Sequence, residues 1–174
     1  FFLQHYHGLS AVGVFSVALK ISMIIGLFGI SFRQAWVPYA FSMMNEPHAK
    51  RKYELGFIFF TGAIFILAFA VVIFGKHIIL LISSSKYLGA GFVIGYACLG
   101  VIFINLCGNF FSLGIHIKKN TIYSLVAYLF GLLANIIAAI ILVPKYSIVG
   151  AGISLALGSF VTALSLLYFS NRSY

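Results

Sequence analysis

Lys20 is a fixed positive charge in the middle of an apolar stretch, GVFSVALKISMIIGLFGIS, with no carboxylate near it in sequence. At membrane depth a lysine costs about 3 kcal/mol on insertion scales, so it usually faces a protein interior or a watery cavity. At 100° per residue, Gly13, Ser16, Leu27, Ser31, Gln34 and Pro38 fall within about 40° of Lys20, which puts the ammonium in a stripe of polar and small residues. Arg33 falls some 220° around the same helix, on a different face. Its expected role is to snorkel to the phosphates of the headgroup layer, with a direct role in substrate binding as the alternative. Further along, Asn105, Asn109, Ser112 and His116 share one face of a helix, and Thr121, Ser124, Tyr128 and Asn135 share one of another. Three polar stripes could converge on a hydrated central path. They could equally hydrogen-bond to one another, at about 1 kcal/mol for each interhelical bond.

Enzymatic chemistry finds little support, and no catalytic residue is assigned. Glu46 and Glu54 are the chain's acids, both beside a basic loop, so no carboxylate pair exists for acid and base work. No nucleophile has a base and an orienting acid, no glycine-rich loop follows a strand, and no cofactor is implied. His5 and His7 could hold a metal ion, but no third ligand is in view, and none is assigned. Cys98 and Cys107 share one apolar span at a spacing that suits neither a zinc site nor a disulfide framework, and read as packing residues.

These side chains stand on apolar elements. Hydrophobic residues make up 63% of the chain and charged ones 7%, with uncharged runs long enough to cross a bilayer. That composition specifies an integral membrane protein. The net charge of +9 invites a nucleic-acid reading, but the basic residues are scattered between apolar spans and not gathered on one face with aromatics. Membrane lipids are the expected surroundings, and no nucleic-acid partner is expected.

Apolar length predicts spans at about 9–44, 55–75, 92–117, 121–143 and 148–169. The expected fold is all-α, a polytopic transmembrane bundle of about five complete spans plus the end of a sixth. Phe1 to Gln4 would be the last turn of that sixth span, with His5 to Gly8 as the short turn after it. The absence of an initiator Met and of a signal-peptide pattern suggests the carboxyl-terminal piece of a longer protein. The first span exceeds a hydrocarbon core of ~30 Å at 1.5 Å per residue, so 33–44 is expected in or beyond the headgroups, with Trp36 and Tyr39 as anchors and Pro38 allowing a bend. Ile78 to Ile82 is too short to cross. An interfacial segment is expected there, bounded by the breakers Ser83 to Ser85 and Gly89 to Gly91.

Pro144-Lys145-Tyr146-Ser147 is a tight connection, which makes the fourth and fifth spans antiparallel neighbours. Gly150, Ser154 and Gly158 then supply a small-xxx-small face for close packing. If the spans alternate, Lys50, Arg51, Lys52, Lys118, Lys119 and Arg172 lie on one side, and Lys76, Lys86 and Lys145 on the other. The richer side is expected to be cytoplasmic, which places the carboxyl terminus inside.

The residues also carry a resemblance. Ala11-Val-Gly-Val-Phe-Ser-Val-Ala-Leu-Lys-Ile21 resembles the G-x-Y-S-x-A-x-K helix entry in the carboxyl-terminal half of polysaccharide and lipid-linked oligosaccharide flippases, the O-antigen type included. These belong to the multidrug/oligosaccharidyl-lipid/polysaccharide exporter superfamily. Asn135 followed by Leu142-Val-Pro-Lys-Tyr-Ser-Ile-Val-Gly-Ala-Gly-Ile-Ser154 is similar to that family's N…L-I-P-x-Y-G-I-x-G-A-A junction. Phe15 stands in place of a tyrosine and Ser147 in place of a glycine. The likeness covers essentially the whole chain and implies that residues 1–174 form the carboxyl-terminal lobe of a two-lobe, alternating-access transporter.

The implied substrate is an undecaprenyl-diphosphate-linked oligosaccharide carried across a bacterial inner membrane for O-antigen or capsule synthesis. Lys20 would meet the diphosphate, and Gln34, Asn105, Asn109 and Asn135 would meet sugar hydroxyls. Implied partners are the amino-terminal lobe of the same protein, with a polysaccharide polymerase and chain-length regulator as further candidates. Two rivals stand beside it: a multidrug or cation antiporter of the same superfamily, and a membrane scaffold subunit of a polysaccharide assembly complex.

Overall fold

The computed structural model describes residues 2–44, 46–112 and 122–172, with side chains up to residue 170. The expected end of the third span, His116, Lys118, Lys119 and Thr121 lie outside the described residues. Those described form an all-α helix bundle, and four of its helices are long and apolar enough to cross a membrane. The protein is a multi-pass membrane protein.

Helix α1 covers Phe2–Ser42 and changes direction at Gly8, whose φ of 76° and ψ of 179° lie where a Cβ is strained. The first six residues after Phe1 are therefore helical, not a turn, and only Gly8 breaks the helix. This short arm packs Leu3 against Ala139 and Val143, and His7 Nε2 lies 2.9 Å from the Val143 carbonyl oxygen. Beyond Gly8, α1 runs through Pro38 without leaving helical geometry.

Helix α2 covers Ala49–Ile82. Gly75 does not end it, so the expected interfacial segment at Ile78 to Ile82 is instead the last turns of α2. Ile79 is fully buried and Gly75 lies under Ile94, so packing outweighs the helix-breaking tendency of glycine. The helix stops at Ser83, which is extended and whose N–H reaches the Ile79 carbonyl. A 3-10 turn, Ser85–Ala90, then leads straight into α3, Gly91–Leu106. Gly89 to Gly91 thus mark a change of helix type and not a break. Over Cys107–Phe111 the helix widens into a π turn, closed by the Ser112 N–H to the Cys107 carbonyl at 3.0 Å.

Helix α4, Ile122–Arg172, is two arms joined at Ser147, where φ is 51° and ψ is −126°. The arms fold against each other as a hairpin. A Cβ on Gly158 would collide with Asn135, one on Gly131 with Thr162, and one on Gly150 with the Leu142 backbone, a descending series that only antiparallel arms produce. Each arm is about 37 Å long, enough for a ~30 Å core. The small-xxx-small face does what its spacing predicts.

Helix α3 is the centre of the bundle, touching α1, α2 and α4 as well as the 3-10 and π segments that flank it. Ser22 pairs with Cys98, Gly26 with Val101 and Gly29 with Asn105, so α1 and α3 run parallel, while Gly75 on Ile94 and Phe57 on Phe110 set α2 antiparallel. Ala18, Ile25, Phe60, Ile64, Val93 and Ile102 form the apolar seam between them. Trp36 is not an interfacial anchor. It is 7% exposed, with its indole over Gly56 and its ring among Phe32, Tyr53 and Phe110. Tyr39 does remain exposed, and Tyr53 donates its hydroxyl to the Ala40 carbonyl at 2.5 Å, tying the ends of α1 and α2 together.

Candidate functional site

Lys20 is exposed, on a face of α1 that no described helix covers. Leu27, Ser31, Gln34 and Pro38 are exposed along the same face, as the helical arithmetic predicts. Beside Lys20 is a pocket of about 240 Å³ between α1 and the tip of α2, lined by Val17, Ile21, Ile24, Ile79, Ile82 and Ser83. Every Cα–Cβ bond of α1 tilts toward its amino terminus, which aims the lysine stem toward the side of Lys86 and His7. The pocket wall is apolar except for the lysine and Ser83. Such a slot suits an amphiphile whose anionic end meets the ammonium. Gln34 stands on the same face, but about 21 Å further along the helix, so the two do not share a pocket.

The asparagines do not join Lys20. Asn105 is buried against Gly29 and gives its amide to the Val101 carbonyl of its own helix at 2.8 Å. Asn109 is fully buried, and its Nδ2 donates to the Gly29 carbonyl across the α1–α3 seam at 3.4 Å. Asn135 donates to the Ser154 carbonyl at 2.9 Å and holds the α4 hairpin. Each donates its side-chain N–H to a backbone carbonyl, as amides held between helices usually do. Of the two arrangements that the sequence leaves open, these bonds are the helix-to-helix or within-helix kind: Asn105 and Asn109 lie in the α1–α3 seam and Asn135 between the arms of α4.

Arg33 is what the sequence reading missed. Its side chain is half-buried and turned into the seam, where its Nε donates to Asn109 Oδ1 at 3.3 Å. The guanidinium rests on Gly108, where any Cβ would displace it. Snorkelling to the headgroups beyond Trp36 would oppose the tilt of the Cα–Cβ bond. The usable signal was the Asn105/Asn109 pair one turn apart, which needs a polar partner on a neighbouring helix. Nothing in the local spacing of Arg33 names that helix.

At the other end, the ammonium of Lys52 pairs with Glu46 in the exposed loop between α1 and α2. That loop and the Arg33 node lie at one end of the bundle. Lys86, whose ammonium stands 5.4 Å from the ring centre of Tyr87, lies at the other with Gly13 and Ser10.

No protein-family model matches the chain, and no solved structure matches it. Two curated proteins are similar along almost its whole length. An uncharacterized membrane protein of Methanocaldococcus jannaschii is 26% identical over 174 residues, covering 98% of this chain and 34% of the relative. The capsular polysaccharide biosynthesis protein CapF of Staphylococcus aureus is 26% identical over 177 residues, covering 99% of this chain and 44% of the relative. The chain thus spans between a third and a half of the length of these relatives. They link a helical membrane protein, weakly, to capsular polysaccharide biosynthesis.

Proposed function

We propose that this chain is the carboxyl-terminal lobe of a flippase that moves lipid-linked oligosaccharide repeat units across a bacterial inner membrane for O-antigen or capsule synthesis. The observation that carries the reading is the exposed ammonium of Lys20 beside an apolar slot, partway along a helix long and apolar enough to cross a membrane. A diphosphate needs a cationic partner away from bulk water while its lipid tail stays among apolar side chains. The similarity to a capsular polysaccharide biosynthesis protein supports the same substrate class.

In this reading the Lys20 stripe faces the other lobe across a central cavity, and Gln34 meets sugar further along it. Asn105, Asn109 and Asn135 hold the helices that shape the wall. The protein transports and does not catalyse. The carboxyl terminus is cytoplasmic, and a polymerase and chain-length regulator act on the product.

Complementation tests it. A flippase-deficient strain receiving the full-length protein should regain surface polysaccharide, and the Lys20→Gln protein at equal membrane abundance should instead accumulate lipid-linked repeat units. Full restoration by the variant would make Lys20 structural; drug efflux in place of restoration by the full-length protein would point to the exporter, and neither would leave the scaffold role.

A further inference from the structure

Arg33 holds a charge in the apolar part of the bundle with little to balance it. Phe32, its neighbour, packs on Phe60 with ring centres 4.4 Å apart. Phe60 is about 9 Å along α2 from Glu54, where the apolar run of that helix begins. The chain's acids, Glu46 and Glu54, are both at the start of α2 or before it, and Glu46 is engaged with Lys52. Among the described residues the guanidinium makes a single hydrogen bond, to Asn109 Oδ1. Guanidinium offers five N–H donors in a planar fork. With Nε committed to Asn109, the two terminal nitrogens make no hydrogen bond among the described residues, and Nη2 lies against Gly108.

The surroundings fix that fork in place. Asn109 is itself anchored by its bond to the Gly29 carbonyl, and it sits in the π turn of α3, a distortion that often marks functional positions. Gly108 in the same turn provides the space. An arginine at such depth that is preorganised, uncompensated and still partly accessible meets the conditions for a bidentate oxyanion contact. The exposed Lys50 and Arg51 at the same end of the bundle raise the local concentration of anions.

We infer that the Arg33 guanidinium, seated on Gly108 and oriented by Asn109, is a binding position for a phosphate oxyanion at the basic-loop end of the bundle. The position is about 20 Å along α1 from Lys20 and on another face, and it stands whether or not the transport reading does. The oxyanion belongs either to a polyprenyl diphosphate or to a phospholipid headgroup.

Native mass spectrometry of the full chain in detergent, titrated separately with undecaprenyl diphosphate, phosphatidylglycerol and diacylglycerol, tests this. At least one of the two phosphate lipids should bind more tightly than diacylglycerol, and Arg33→Gln should weaken that binding about tenfold, the scale of a charged hydrogen bond. Glutamine keeps an N–H for Asn109, so the seam should hold, which helical circular dichroism checks. Gly108→Ala keeps the charge but displaces the guanidinium, and should weaken binding similarly. Binding of the diphosphate alone would identify a carrier lipid, and equal binding of both a headgroup. Phosphate lipids held no better than diacylglycerol, binding unchanged in folded Arg33→Gln, or loss confined to Lys20→Gln would each overturn the proposal.

Discussion

Ser147 shows how one backbone position shapes the bundle. Its φ of 51° and ψ of −126° belong to a region that glycine occupies freely and a side chain resists, at a cost of about 1–3 kcal/mol. The hairpin requires it, because Pro144 to Ser147 must reverse the chain within one turn. The family pattern that the sequence resembles has glycine here, and the backbone angle supplies the reason. Ser147→Gly should stabilise the protein by about 1 kcal/mol and Ser147→Val should destabilise it by at least as much, read as opposite shifts of the thermal unfolding midpoint in detergent. Midpoints that move together would mean that the turn relaxes around the side chain. Asn135→Ala should cost about 0.6–1 kcal/mol, the usual value of an interhelical bond in membranes, because it removes only the bond to Ser154. At this scale the sequence was legible where a residue's placement depends on its own helix, as for the exposed face that carries Lys20. It was not legible for Trp36 or Arg33. Their partners, Gly56 and Gly108, lie on other helices, and an indole or guanidinium near a predicted membrane boundary has an equally good solvent-side explanation.

Elements were easier to read than their ends. The α4 hairpin follows from two apolar runs, a proline-containing connection and small residues at intervals of four, all local signals. The extension of α2 through Gly75 to Ile82 was hidden, because a short apolar run between glycine and serines looks the same whether it lies on a membrane surface or packs on another helix. Burial of Ile79 against α1 and α3 decides it. The hairpin also gives a sharp mechanical prediction. Gly131 meets the Gly158 carbonyl and the Thr162 hydroxyl, and Gly158 meets Asn135, so the arms touch backbone to backbone. Gly158→Leu should force the arms apart at a cost of about 1–3 kcal/mol or more, seen as a lower midpoint of denaturant unfolding. Gly62→Leu, where nothing lies within reach of a new Cβ, should cost less than half as much. Equal effects would show that helix propensity, and not contact between the arms, governs both positions.

For the whole molecule, the open question in physical terms is what the uncovered face of α1 meets. Lipid and water impose opposite requirements. A lipid-facing surface carries side chains like those of Phe59, Ile66 and Leu81, which project from the rest of the bundle, whereas the α1 face interleaves Lys20, Ser31 and Gln34 with Ile24 and Leu27. Burying that face in hydrocarbon would leave an ammonium and an amide without partners, which a hydrated cavity avoids. Single cysteines placed in the full-length protein separate the two. Thiolate is the reactive species and forms only where water reaches the sulfur. Lys20→Cys, Ser31→Cys and Gln34→Cys should therefore react with a membrane-impermeant maleimide at least tenfold faster than Phe59→Cys. Cys98 and Cys107 should react least, because both are buried. A substrate that fills the cavity should slow labelling at Lys20→Cys while leaving Lys50→Cys, at the exposed start of α2, unchanged. Rates at positions 20, 31 and 34 no faster than at 59 would place this face against lipid, and the polar stripe would then serve to hold another helix.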